Sequence, residues 1–123
     1  MQIFLICSVR KADEKERAAQ LAYVKKLEMA GHEVYWPTRD NPHQKTDLIG
    51  LLICDWNREA IFLAQEIHIW YSSDSEGSKF DFGMVFMLNR SRNVKIVIAN
   101  PEAVRPTPHK SFENVLLALT GNL

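Results

Sequence analysis

The chain has 123 residues, with 15 basic and 15 acidic side chains, a formal net charge of +0 and 46% hydrophobic residues. That length fits one domain over residues 1–123 with its own core. Balanced charge with no Lys/Arg block leaves no electrostatic footprint for a nucleic-acid polymer, and no apolar run reaches membrane-spanning length.

Gln2-Ile-Phe-Leu-Ile-Cys7 is continuously apolar and reads as a strand. Residues 12–30 read as a helix: Asp13 with Glu16 fits a capping box, and Gly31 is placed as its stop. Its expected apolar face is Ala18, Leu21, Ala22, Leu27 and Ala30. Glu33-Val-Tyr-Trp36 is a short strand closed by Pro37, and residues 38–45 form a polar loop. Residues 46–64 read as a helix with Leu48, Leu51, Leu52, Ile61 and Leu63 inward. The third strand spans 66–71, the next helix about 77–88, and the fourth strand 93–98. An irregular stretch with Pro106 and Pro108 leads to a last helix over 111–119.

Nearly continuous apolar strands alternating with helices imply a parallel sheet covered on both faces. Four strands are visible in the order 2-1-3-4, and no fifth is evident. Such sheets bind ligands at the carboxyl ends of their strands. The segments there are Ser8–Lys11, Pro37–Gln44, Tyr71–Ser78 and Asn100–Val104.

The most informative of these runs from Trp70 to Gly83. It is a strand, a Ser/Gly loop and a helix start, so unpaired N–H groups and the positive helix end converge on an anion-binding corner. Asp81 lies just inside that helix, either as a first-turn acid favoured by the dipole or as a group that works on a ligand.

The N-terminus lacks the charged-then-apolar order of a secretory leader, which points to the cytoplasm. The two cysteines, Cys7 and Cys54, sit in apolar contexts and read as reduced, buried thiols. No Cys/His spacing suggests a metal site, and the four histidines are scattered singly. No Gly-x-Gly-x-x-Gly follows the first strand and no Gly-Lys-Ser/Thr loop is present, which argues against a dinucleotide oxidoreductase and a nucleoside triphosphatase.

Four segments together resemble the nucleoside 2-deoxyribosyltransferase family, which includes the 2-deoxynucleoside 5-monophosphate N-hydrolases. They are the first strand running into Cys7-Ser-Val-Arg10, the Tyr35-Trp-Pro-Thr-Arg-Asp-Asn41 loop, the helix from Asn57 to Ala64, and Gly77-x-x-x-Asp81-x-Gly83. The resemblance covers nearly the whole chain. It implies an α/β, flavodoxin-like doubly wound parallel sheet in three α/β/α layers, with four to five strands and a homodimer or higher homo-oligomer. It also implies a small-molecule nucleoside or nucleotide as substrate, no cofactor, and cleavage of an N-glycosidic bond by a carboxylate nucleophile.

The family's nucleophilic Glu corresponds to Asp81 here, one methylene shorter. A family Asp on the preceding helix corresponds to Asn57, with Asp55 the nearest acid. Six residues before the nucleophile, Ser75 stands where members acting on free nucleosides carry Asp, which with Ser78, Gly77 and Arg10 leans toward a 5-monophosphate. Glu76 opposes that reading if it points inward.

Each residue also has a plainer role. Ser75 and Ser78 fit a helix cap, Ser8 and Arg10 a loop hydroxyl and a surface charge rather than sugar or phosphate contacts, and Arg39 with Asp40 a local ion pair rather than contacts to a base edge. Trp36 and Trp70 suit base stacking or the core, and His68 a satisfied core position. Lys110 and Ser111 are candidates to complete a neighbour's site. The two departures at the carboxylates keep a non-catalytic nucleotide-binding module open as the alternative function.

Overall fold

The computed structural model describes residues 1–123. The elements are β1 (Gln2–Ile6), α1 (Glu14–Met29), β2 (Glu33–Tyr35), α2 (Pro37–Asp40), α3 (Leu51–Leu63), β3 (Glu66–Ile69), α4 (Glu76–Arg92), β4 (Lys95–Ile98) and α5 (Phe112–Leu119). One 3-10 turn covers Pro101–Ala103. The four strands form one sheet in the order β2-β1-β3-β4, every pair parallel.

Chain direction explains the layers. β1 to β2 steps one way across the sheet, and β2 to β3 to β4 steps the other way. Right-handed crossovers then place α1 on one face and α3 and α4 on the opposite face. The pleat divides the core accordingly. Ile3, Leu5, Cys7, Val34 and Trp36 pack with Val24 of α1. Phe4, Ile6, Ile67, Ile69 and Ile96 pack with Ile61 of α3, Val85 of α4 and Leu116 of α5. The result is a flavodoxin-like, three-layer α/β/α fold with four strands.

α1 is capped as its sequence implies: the Asp13 carboxylate accepts the Glu16 N–H at 2.8 Å, and Gly31 turns the chain out at φ +95°. Its inward face is different. Gln20 and Val24 are fully buried with Tyr23 and Leu27 beside them, whereas Ala18, Leu21, Ala22 and Ala30 are exposed. The inward stripe carries Gln and Tyr because Gln20 Oε1 accepts the Trp36 indole N–H at 3.1 Å and Tyr23 bonds His68.

α3 starts at Leu51, five residues later than expected from a start at Thr46. The Asp47 carboxylate accepts the N–H groups of Ile49 (3.2 Å) and Ile53 (3.0 Å), and Gly50 follows at φ +96°, so residues 46–50 close a turn instead. Of the five residues expected inward only Ile61 is buried; Leu48, Leu51, Leu52 and Leu63 are exposed. Pro37 at the first helical position starts α2 inside the expected polar loop.

No helix of the chain is long and apolar enough to cross a membrane.

Candidate functional site

The chain leaves β1 toward β2 on one side, while β3 lies on the other. The crevice between the carboxyl ends of β1 and β3 is therefore the topological switch point. A cleft of about 470 Å³ opens there. The exit of β1 supplies Ser8 and Arg10, α3 supplies Asn57, and the β3–α4 corner supplies Ser75, Gly77 and Asp81.

Asp81 is the buried acid of the cleft. Ser78, Asp81 and Val85 follow one another on the inward stripe of α4, so the Asp81 carboxyl is carried under the helix and is only 7% exposed. Burial pushes its pKa up to about 7, against a smaller opposing pull from the Asn57 hydrogen bond. Asn57 Nδ2 donates to Asp81 Oδ2 at 3.4 Å, and Oδ1 makes no hydrogen bond within the chain.

The Asn57 amide is itself held. Asn41 Nδ2 donates to Asn57 Oδ1 at 2.9 Å and to the Ile53 carbonyl at 3.1 Å, while Asn41 Oδ1 accepts the His43 N–H at 2.9 Å. Asn57 thus presents its donor edge to Asp81. Asn41, buried at 5% exposure, is the residue sequence reading missed as part of the site. An Asn before Pro42 looks like ordinary turn chemistry, and nothing local reveals its reach to α3.

The rest of the cleft is polar and of mixed charge. Ser75 caps α4, accepting the Ser78 N–H at 3.2 Å and donating to Ser78 Oγ at 2.8 Å. Ser8 Oγ accepts the Lys11 N–H at 3.2 Å, which folds the β1 exit back on itself. Arg10 and Lys11 line the cleft with no ion-pair partner, and Glu76 and Asp47 line it too. Both cysteines line the cleft, Cys7 buried as expected but Cys54 only half-buried, on the face of α3 that opens to the cleft. Burial pushes the Cys7 thiol up to about 12 and raises Cys54 as well, so neither is a thiolate near neutrality.

Other residues singled out by sequence lie elsewhere. Asp55 is exposed and outside the cleft, because two positions along a helix turn a side chain by roughly 200° away from Asn57. Arg39 forks onto Glu28 (3.2 and 3.1 Å) and pairs with Asp40 (2.8 Å), which fastens α2 to α1. Asp40 also accepts the Trp36 N–H at 2.9 Å and lines a different groove. These two form the local ion pair, not a contact in the cleft. Ser78 lies behind Ser75 and faces the α5 side with Phe112. Trp36 is core, and Ser111 caps α5 by accepting the Asn114 N–H at 3.1 Å. His68 is buried, bonded to Tyr23 at 2.5 Å and to Glu66 at 2.6 Å.

No three His, Cys, Asp or Glu side chains gather as a metal-ligating cluster. Fold and cleft together define a flavodoxin-like domain with a buried acid at its switch point. The chain matches no family model, no curated protein and no solved structure.

Proposed function

We propose that the chain cleaves or exchanges the N-glycosidic bond of a deoxynucleoside or its 5-monophosphate, with Asp81 as nucleophile. One observation carries this reading: a carboxyl buried at a strand-end cleft at the switch point, with Asn57 hydrogen-bonded to one oxygen and the other left without a partner in the chain. In the first step Asp81 Oδ1 bonds to the anomeric carbon and the C–N bond breaks. Its electron pair leaves on the base nitrogen, which takes a proton from water. Water or a second base then displaces Asp81, with net retention at the sugar.

Several features support a 5-monophosphate over a free nucleoside. Arg10 and Lys11 stand unpaired at the cleft beside the N-terminus of α4, and position 75 is a hydroxyl, not a carboxylate. Glu76 and Asp47 oppose a phosphate, so the cations must outweigh them locally.

The assembly in this proposal is a homodimer. Phe62 of α3 and Phe80 and Met87 of α4 leave 54%, 59% and 73% of their surface open, more apolar area than a lone domain needs to show. Two free thiols suit the cytoplasm. Neither a nucleic-acid polymer nor a membrane is among the proposed partners.

A specific observation favours the alternative of a non-catalytic nucleotide-binding module. With a pKa of about 7 a large share of Asp81 is neutral at neutral pH, and Asn57 cannot protonate a leaving base. Incubation with a panel of nucleosides and 5-monophosphates, with free base followed by chromatography, separates the two. Base release from a 5-monophosphate supports the enzyme. Saturable nucleotide binding without base release supports the module, and neither result leaves the cleft with an unrelated ligand.

A further inference from the structure

We propose that the groove between β2 and α3 is a second binding site, for a small organic cation with an aromatic or aliphatic body and one ammonium group. The groove lies on the flank of α3 away from Asp81 and shares no lining residue with the Asp81 cleft, so it stands independently of the function proposed above.

Helix spacing builds one wall. Trp56, Glu59, Ala60 and Leu63 are related by three, four and seven positions, which places them on one stripe of α3. Val34 and Tyr35 of β2 form the other wall. The groove is open to solvent on one side and has a volume of about 370 Å³, within the range of small-molecule sites, and most of its lining is apolar. Trp56 and Leu63 remain 47% and 56% exposed, so nothing in the chain covers this surface.

Charge decides what the groove suits. Glu33, Asp40 and Glu59 line it, and no Lys or Arg does. Glu33 has no ion pair, Glu59 meets only the exposed Arg58 at 3.2 Å, and Asp40 is held by Arg39 at 2.8 Å. An apolar cavity with an acidic border favours an apolar body bearing positive charge. The Trp56 indole, three residues from Glu59, packs against the His43 ring at 5.4 Å on one side and leaves 47% of its surface open for a cation. The Tyr35 hydroxyl is buried without a hydrogen-bond partner, an unmet polar group on the same wall.

The test is a titration of the full chain with 2-phenylethylammonium and with the neutral 2-phenylethanol, followed by amide and indole chemical shifts. The cation should give saturable shifts at Trp56, Ala60 and Leu63 and bind several-fold more tightly than the alcohol. Glu33→Gln with Glu59→Gln should bring the amine down to the alcohol's affinity and leave the alcohol unchanged. Leu63→Lys, at an exposed position, should abolish both while the dispersion of the spectrum stays native. The proposal is overturned by equal affinity for the two probes, by shifts centred on the Asp81 cleft, or by no saturable shift. Movement of the groove signals with protein concentration alone also overturns it, because a second copy would then be the occupant.

Discussion

At the scale of single residues, Asp81 carries both the proposed chemistry and a stability cost. A carboxyl whose folded pKa is about 7 against a reference of 3.8 binds more protons folded than unfolded between those values. Stability is therefore lost as pH rises from about 4 through about 7, by up to roughly 4 kcal/mol at 1.36 kcal/mol per unit. Asp81→Asn should remove that dependence: chemical denaturation should find the variant more stable than wild type at pH 8 and closer to it at pH 4. In the proposed reaction the same titration would govern activity. Base release should rise with pH through about 7, because only the ionised carboxylate attacks. In the proposed reaction Asn41 would act one step back, as a positioning residue. Asn41→Ala leaves Asn57 Oδ1 and the Ile53 carbonyl without their donor, which should cost about 1–3 kcal/mol of stability. It should also lower kcat more than it raises KM, and move the pH profile as Asn57 loosens from Asp81; an unmoved profile would mean a purely structural role.

At the scale of elements, the N-terminus of α4 joins a cap to a site. Ser75→Ala removes the acceptor for the Ser78 N–H and should lower thermal stability by about 1 kcal/mol. Ser75→Asp keeps a capping oxygen that suits the helix dipole but buries a second carboxylate, so stability should fall somewhat while preference moves from a 5-monophosphate to a free nucleoside. Competition kinetics with the two substrates measures that shift, and an unchanged ratio would remove Ser75 from the phosphate subsite. Elements were legible in sequence to unequal degrees. The strands were plain because burial on both faces demands continuous apolar runs, and alternation with right-handed crossovers then fixes their order. Helix faces were not. Leu48, Leu51, Leu52 and Leu63 are apolar and point outward, while Gln20 is polar and points inward through a bond to Trp36. An apolar stripe identifies a surface to be covered, not what covers it. The site divides the same way: loops after strands located Ser8, Arg10, Ser75 and Asp81 at the cleft, but Arg39 and Asp40 turned toward Glu28, a partner from α1 that local pattern does not disclose.

At the scale of the whole molecule, one sheet edge and two helix flanks are each given different work. The switch point holds Asp81, and the outer faces of α3 and α4 carry Phe62, Phe80 and Met87 into solvent. Phe80 and Met87 are seven residues apart and share a stripe, so Phe80→Glu with Met87→Glu should break a homodimer with little loss of fold. Sedimentation equilibrium should show a dimer for wild type and a monomer for the double variant; a monomeric wild type at high concentration would contradict the assembly. The central claim is that Asp81 forms a bond to the sugar. Intact-protein mass spectrometry of enzyme quenched during turnover of a 5-monophosphate tests it most directly, with peptide mapping to place any adduct. Covalent attack by Asp81 should give a mass gain of one deoxyribosyl phosphate on the peptide carrying Asp81, absent in Asp81→Asn. An adduct on another residue, or base release at wild-type rate in Asp81→Asn, would contradict it.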